Sequence, residues 1–225
     1  MTYTQQKTYG SAGMRDAFDA LEQGTDDWLF ARLGCVTASR IADVVQRTRS
    51  GYGAARHTYM GQLISERLTG IPTEMFQTPA MRWGNEMEAS AVDAYQAATG
   101  ADVFRVGFLM HPVIAFSGAS PDRLISSDGL LEVKCPTSPT HIEMLLTGHI
   151  PDRYILQMQW QMACAARQWC DFVSYDPRMP EPHEMFITRV ARDDEKIASL
   201  EAEVAQFLGE ADHKVAALML GASVN

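Results

Sequence analysis

Apolar residues recur every three or four positions through much of the first hundred residues, which predicts that this part of the chain is largely helical. The longest regular stretch is Pro79–Thr99, followed by Gly100 as a stop signal. Shorter helices are predicted at residues 26–33, 39–46 and 55–69, and residues 47–53 are predicted to form a polar, glycine-containing loop.

Beyond Gly100 the pattern changes to short apolar runs separated by turn residues, which is typical of strands. Strands are predicted at residues 103–110, 115–117, 130–135, 170–175 and 184–191, with Asp128-Gly129 as a hairpin signal. Helices are predicted at residues 139–146, 152–167 and 193–220. This order predicts one α/β domain over residues 1–225, with a loose start at residues 1–13, a helical N-terminal part, and a central mixed β-sheet flanked by helices.

Composition narrows the class of protein. The chain is 46% hydrophobic and 21% charged, and no apolar run approaches the roughly 18 residues of a membrane span. The polar start lacks the apolar core of a signal peptide, and the four cysteines form no C-x-x-C pair. We therefore expect a cytoplasmic protein with reduced thiols and no membrane contact. A net charge of −9 disfavours a long basic surface but leaves a local basic patch or a metal as routes to nucleic acid.

Candidate chemistry is concentrated in residues 120–136. Asp122 follows a proline turn, while Glu132 and Lys134 lie two positions apart in a predicted strand and so share a face about 7 Å apart. Mg²⁺ prefers oxygen ligands and binds one or two carboxylates together with water and phosphate oxygens. The sequence therefore predicts a magnesium site formed by Asp122, Glu132 and the backbone carbonyl of Val133.

Lys134 is predicted to hold or help deprotonate a water that such a metal activates. Glu88, on the long predicted helix, is a candidate ligand of a second ion. The chain has four lysines, so only about 0.2 chance matches to E-x-K are expected. The plain alternative to a metal site is that Asp122 is an ordinary turn residue and that Glu132 and Lys134 form a surface ion pair. The combination of Pro121-Asp122 with the E-x-K motif on a predicted strand instead indicates a metal-dependent nuclease.

These residues belong to a longer series of blocks that resembles the phage lambda exonuclease family, viral recombination nucleases of the restriction-endonuclease-like PD-(D/E)xK superfamily. The blocks occur in the family's order: Trp28, residues 32–39 (RLGCVTAS), 83–88 (WGNEME), 120–122 (SPD), 131–136 (LEVKCP), 154–159 (YILQMQ) and 175–179 (YDPRM). The resemblance implies that Asp122, Glu132, Glu88 and the Val133 carbonyl bind metal. It also implies that Lys134 activates water and that Gln157 lines the site.

The resemblance further implies an activity and an assembly. The expected enzyme is a hydrolase that degrades one strand of linear duplex DNA from free ends in the 5′→3′ direction, leaving 3′ single-stranded tails for recombination. Two Mg²⁺ ions per active site are expected, with Mn²⁺ as a substitute. The expected assembly is a homotrimer ring around DNA, with a single-strand annealing protein as partner, in a bacterial host that carries a phage or prophage.

A pocket for the 5′-phosphate is also implied, made by Arg32, Ser39 and Ser120 with Thr37 beside them. Physical reasoning alone allows a plainer interpretation, in which Thr37 or Ser39 caps the next helix and Arg32 lies on the surface. The sequence departs from the family at one position, because Thr140 occupies the place of an arginine after K-C-P. His141 and Arg123 are possible replacements for that arginine.

Two further residues are candidates for contact with DNA. Arg49 in the polar loop is a candidate for a minor groove, and Met81 at the start of the long helix is a candidate for an apolar wedge. A solvated loop and a core methionine are the alternatives.

A series of glutamines marks the predicted helix at residues 152–167. Gln157 and Gln161 are one turn apart and can share a face, which Gln159 cannot. Met158 and Met162 are predicted to form the core stripe of this helix.

Two other functions remain open from the sequence. One is a structure-specific or sequence-specific endonuclease of the same superfamily, and the other is a non-catalytic DNA-binding module. The presence of Asp122, Glu132, Lys134 and Glu88 together disfavours the second.

Overall fold

The computed structural model describes residues 18–73 and 78–221, so the predicted loose start at residues 1–13 lies outside the described residues. The first part contains α1 (Asp26–Ala31), β1 (Val36–Thr37), a 3₁₀ turn (Ala38–Arg40), α2 (Ile41–Val45), β2 (Arg47–Thr48), β3 (Gly51–Tyr52), α3 (Ala54–Thr69) and α4 (Pro79–Thr99). The second part contains β4 (Val103–Phe104), β5 (Leu109–Met110), β6 (Ser117–Ala119), β7 (Arg123–Ile125), β8 (Gly129–Lys134), α5 (Ser138–Thr147), α6 (Asp152–Ala165), β9 (Trp169–Tyr175), β10 (Met185–Ala191) and α7 (Asp194–Met219).

A five-stranded sheet in the order β10-β9-β8-β7-β4 lies at the centre. The β8–β9 pair is parallel and its other pairs are antiparallel, so the predicted mixed sheet is confirmed. β7 and β8 form the predicted hairpin, in which Ile125 pairs with Gly129 across a turn at residues 126–128. This hairpin brings Asp122, just before β7, back alongside the end of β8.

One loop prediction and one strand prediction need correction. The predicted loop at residues 47–53 contains the β2–β3 hairpin, in which Arg47 pairs with Tyr52. The predicted strand at residues 103–110 is divided between β4 of the central sheet and β5 of a three-stranded sheet, β1-β6-β5. At the interruption, the backbone N–H groups of Gly107 and Phe108 donate to the carbonyls of Asp19 and Phe18, which lie far away in the chain.

The long helix α4 has the predicted bounds, and local signals explain both ends. The Thr78 hydroxyl accepts a hydrogen bond of 3.2 Å from the N–H of Met81, and Pro79 occupies the first turn. Gly100 ends the helix with φ 68°, a left-handed conformation that glycine adopts without steric cost.

Three apolar clusters form the core. One lies between the N-terminal helices and α7, a second between α4 and one face of the central sheet, and a third between α5, α6 and the opposite face. Helix α6 links two of them, since Trp160 belongs to the first cluster and Met158 and Met162 to the third.

Two findings bear on the expectations from composition. All four cysteines are free thiols, as predicted. Among the described residues, no helix is both long enough and apolar enough to cross a membrane.

Candidate active site

The end of β8 carries a fully buried carboxylate that accepts three hydrogen bonds. Glu132 Oε1 accepts from Lys134 Nζ and, at 2.6 Å, from Gln157 Nε2. Its Oε2 accepts from Gln161 Nε2, also at 2.6 Å. The prediction that Glu132 and Lys134 share a face of the strand is confirmed, and so is the shared face of Gln157 and Gln161.

Asp122 lies beside this cluster because the β7–β8 hairpin folds it back. Its Oδ2 accepts a hydrogen bond of 2.6 Å from the N–H of Val133. Burial raises the pKa of Asp122 well above its usual value, and the nearby carboxylates of Glu132 and Glu88 raise it further. The site therefore concentrates negative charge that a cation would stabilise.

Lys134 supplies one cation at this site, with a side chain that is 25% exposed. Burial acts to lower its pKa, but the carboxylates of Glu132 and Asp122 outweigh burial and raise the pKa above its usual value. The ring centroid of Tyr154 lies 5.4 Å from Nζ. In this arrangement Lys134 is a protonated donor to Glu132, suited to hold a water or an anion.

Glu88 reaches the site from α4 through an arginine. Its Oε1 lies 3.2 Å from the Arg123 guanidinium, which also donates to the backbone carbonyl of Asp122. From the sequence, Arg123 is a candidate only for the missing arginine of the phosphate pocket. Its position directly after Pro121-Asp122 was the available signal for a role beside the carboxylates.

The residues at this site fit a hard divalent cation. The described parts of the chain contain no group of three or more His, Cys, Asp or Glu side chains that could hold a metal. Asp122 and Glu132 offer two carboxylates, and Val133 offers a backbone carbonyl. Mg²⁺ commonly binds to so few protein ligands and keeps several waters. Burial and the repulsion from Glu132 and Glu88 together raise the pKa of Asp122, and a bound cation would offset both effects.

A glutamine before α1 supports the turn that carries Asp122. Gln23 Nε2 donates to the carbonyls of Pro121 and Val106, at 2.9 Å each. A cleft of about 520 Å³ opens next to Gln23 and is also lined by Glu88 and Arg123. No pattern in the sequence indicated Gln23, because the contact spans nearly a hundred residues.

Arg32 and Ser120 of the predicted phosphate pocket are joined by Trp28. The indole N–H of Trp28 donates to Ser120 Oγ at 2.9 Å, and the Arg32 guanidinium lies 3.8 Å from the centroid of the Trp28 ring. Burial lowers the pKa of Arg32. Within residues 18–73 and 78–221 no carboxylate forms an ion pair with Arg32. The half-buried guanidinium therefore lies where an anion would be stabilised.

The plainer interpretation, in which the side chain of Thr37 or Ser39 caps the next helix, is wrong. Thr37 is buried at the start of the 3₁₀ turn, and its side chain makes no capping bond. Its backbone N–H instead donates to the hydroxyl of Tyr59 at 3.1 Å. Ser39 is exposed within the turn, and Arg40 occupies the position before α2. The turn that follows Thr37 has three residues, and the backbone of Thr37 is hydrogen-bonded to Tyr59.

The two suggested replacements for the missing arginine differ. His141 is fully buried, with Nδ1 2.7 Å from Ser174 Oγ and Nε2 2.8 Å from the carbonyl of His183. Both ring nitrogens are thus engaged, and His141 as a phosphate ligand is wrong. Arg123 is held by Glu88 and the carbonyl of Asp122, beside the carboxylate cluster.

Both candidate DNA-contact residues lie on the surface. Arg49 is exposed in the turn of the β2–β3 hairpin, and Met81 is 39% exposed in the first turn of α4. The alternative in which Met81 is a core residue is wrong. The hairpin is held against α7 by Glu203, which pairs with Arg47 at 2.5 Å and accepts from the hydroxyl of Tyr52 at 2.8 Å.

A mixed sheet with Asp122 and the Glu132–Lys134 pair on its central hairpin defines a restriction-endonuclease-like nuclease fold. Two crystal structures of LHK-Exo, an alkaline exonuclease from Laribacter hongkongensis, are similar to this chain over most of its length. The structure in complex with dAMP is 49% identical, with a TM-score of 0.81, and the alignment covers 86% of this chain and 96% of that one. The other is 48% identical, with a TM-score of 0.83 and coverage of 88% and 97%.

A phage-related exonuclease from Haemophilus somnus 129PT shares the fold at 14% identity and a TM-score of 0.64, with coverage of 82% of this chain and 96% of that one. No curated protein matches the chain. The family model described as YqaJ-like viral recombinase domain matches residues 27–168. The chain belongs to the YqaJ-like viral recombinase family and is a nuclease that acts on DNA. The predicted resemblance to the viral recombination exonucleases is confirmed.

Proposed function

We propose that this protein is a Mg²⁺-dependent exonuclease that degrades one strand of linear duplex DNA from the 5′ end and leaves 3′ single-stranded tails. The observation that carries the proposal is the convergence of Asp122, Glu132 and Lys134 at one end of β8. The similarity to an alkaline exonuclease over 96% or more of that protein's chain supports the same reaction class here.

Asp122, Glu132 and the Val133 carbonyl would hold a divalent cation, with Glu88 as a ligand of a second. A bound cation lowers the pKa of a water and stabilises the charge that develops on the phosphate. Lys134 donates a hydrogen bond at the same face and orients the attacking water. Gln157 holds the carboxylate of Glu132 in place. Mn²⁺, which shares this preference for oxygen ligands, is expected to substitute.

The positively charged guanidinium of Arg32 supports the proposed 5′ polarity. Its guanidinium and the hydroxyl of Ser120 would bind the terminal phosphate, with Ser39 and Thr37 nearby in the chain. Arg32 supplies paired N–H donors that match phosphate oxygens. Because Thr140 replaces the family's arginine, we expect weaker discrimination between phosphate and hydroxyl ends than two arginines would provide. Arg49 and Met81 would contact the duplex outside the site.

We further propose that residues 1–225 form one nuclease domain and that three copies form a ring around the duplex. A net charge of −9 is compatible with such a ring if its basic residues face the DNA and its acids face outward. The expected partners are duplex DNA with free ends and a single-strand annealing protein, in the cytoplasm of a bacterium that carries the phage or prophage.

Strand-labelled linear duplexes with either 5′-phosphate or 5′-hydroxyl ends test metal, polarity and the phosphate pocket together. We expect digestion of the 5′-ended strand with Mg²⁺, none with a chelator, and faster digestion from the phosphate end. Cleavage of closed circular DNA at a comparable rate would favour the endonuclease alternative. The absence of metal-dependent digestion on every DNA tested would favour a non-catalytic module.

A further inference from the structure

Helix α6 holds both oxygens of Glu132 with two amides one turn apart. Gln157 donates to Oε1, and Gln161 donates to Oε2, each at 2.6 Å. Gln161 and Glu132 are both fully buried, so water does not compete for this bond. Rotation of the Glu132 carboxylate out of this orientation would break at least one of the two contacts.

The Oε1 atom of Gln161 shows that packing alone does not explain why a glutamine occupies this buried position. Its Oε1 is buried and has no hydrogen-bond partner among the described residues. A buried acceptor without a partner destabilises the fold, and an apolar side chain of similar shape would avoid that cost. The side chain therefore contributes through its N–H group, and that group is directed at Glu132.

The backbone that carries Gln161 is well supported. The neighbouring Trp160 is fully buried in one apolar cluster, and Met158 and Met162 are fully buried in another. Close packing on both sides leaves α6 little freedom to move relative to β8. The position of the Gln161 amide is thus fixed by residues that do not touch the site.

We propose that Gln161 is a positioning residue that orients the Glu132 carboxylate for the divalent cation. The proposal rests on the metal site of the proposed function and adds to it a residue that touches neither the cation nor the DNA. Residues that orient a ligand in this way commonly change metal affinity by about 10–100-fold when they are replaced.

Gln161→Leu and Gln161→Met each replace the amide donor with an apolar side chain of similar volume. The Gln161→Met variant is used if Gln161→Leu does not fold. Gln159→Leu is the matched control. Gln159 is on the same helix and nearly fully buried, but its amide contacts the carbonyl of Ala191 and the N–H of Asp193. Calorimetric titration of the DNA-free protein with Mn²⁺ provides the first measurement, and the Tm of each variant provides the second.

We expect Mn²⁺ to bind the Gln161 variants about 10–100-fold more weakly than the wild type, whereas Gln159→Leu lowers Tm and changes affinity by less than about threefold. The Mg²⁺ concentration for half-maximal digestion should rise in the Gln161 variants while the KM for DNA stays constant. Equal Mn²⁺ affinity in the wild type and the Gln161 variants would overturn the positioning role alone. Equal losses in the Gln159 control would also overturn it, and a wild-type protein that binds no Mn²⁺ would overturn the proposed function as well.

Discussion

The carboxylate site at β8 and the Arg32 site at α1 have opposite charge imbalances. At β8, Asp122 and Glu132 concentrate negative charge, and the pKa of Asp122 is raised by burial and by the other carboxylates. At α1, Arg32 is partly buried on the Trp28 ring without an ion pair to any carboxylate in the described parts of the chain. The first arrangement suits a cation and the second suits an anion, as the proposed action on phosphorylated DNA ends requires.

The two sites also differ in how firmly they are built. Glu132 accepts from three side chains and is fully buried, whereas Ser120 and Arg32 are connected through a single aromatic ring. We therefore expect substitutions at β8 to abolish the reaction and substitutions at α1 to change only the preference for an end.

The largest effect is expected for Asp122→Ala. Loss of a carboxylate that we propose to bind metal should lower the rate of Mg²⁺-dependent digestion by about 10³-fold or more. The rate is measured on linear duplex, with circular dichroism as a check of folding. Asp128→Ala, in the exposed turn of the same hairpin, should retain the activity. Wild-type rates for Asp122→Ala would contradict the assignment of the site.

Arg32→Ala should have a smaller and more selective effect. Loss of a charge-assisted contact to phosphate should reduce digestion of 5′-phosphorylated ends by about 10–100-fold and leave 5′-hydroxyl ends nearly unchanged. Competition between the two substrates gives this ratio directly. Arg40→Ala is the control, since Arg40 already pairs with Asp43 at 2.5 Å. A uniform loss on both ends would argue for a structural role of Arg32.

A weaker effect is expected where the β2–β3 hairpin is held against α7. Glu203→Gln removes the ion pair with Arg47 and should loosen the hairpin that carries Arg49. Because a partly exposed pair contributes little, we expect about a two- to fivefold decrease in the length of DNA degraded per binding event. Digestion with a competitor trap measures this length. Glu195→Gln, in the first turn of α7, is the control, and an equal decrease there would contradict the interpretation.

The smallest effect concerns Asp176, a buried carboxylate with its own arginine. The Arg178 side chain donates to Asp176 and lowers its pKa to about 2, in contrast to the raised pKa of Asp122. Because the folded-state pKa is lowered, this pair stabilises the fold above the unfolded pKa of about 4. The contribution is lost as the pH falls from about 4 to about 2.

Arg178→Ala should therefore lower the free energy of unfolding more at pH 7 than at pH 2.5. The difference should be modest, because the Arg178 side chain is 49% exposed and solvent screens the pair. Urea unfolding at several pH values measures it. Arg105→Ala removes an exposed arginine whose nearest carboxylate is 3.8 Å away and should not change the pH dependence. A pH-independent loss in Arg178→Ala would contradict the lowered pKa.

Predictions that depended on local sequence were the most successful. The bounds of α4 follow from Thr78, Pro79 and Gly100, which act within one turn of each end. The common face of Glu132 and Lys134 follows from the two-residue repeat of a strand. The common face of Gln157 and Gln161 follows from the helical repeat in the same way.

Contacts between distant residues that the family resemblance did not imply were predicted wrongly or were missed. His141 was considered as a phosphate ligand, but its contacts with Ser174 and His183 place it in the core. The contact of Gln23 with Pro121 joins residues far apart in the chain, and nothing in the spacing of either residue indicates the other.

The amino-acid sequence by itself determined most of the elements and the residues of the candidate site, because periodicity, caps and turns act over a few residues and the motif lies within one hairpin. Only the tertiary structure decided that Gln161 contacts Glu132, that Trp28 joins Arg32 to Ser120, and that Arg123 lies between Glu88 and Asp122. These contacts depend on how the apolar clusters of α4 and α6 pack on opposite faces of the sheet. The packing satisfies many distant residues at once, and no local pattern encodes it.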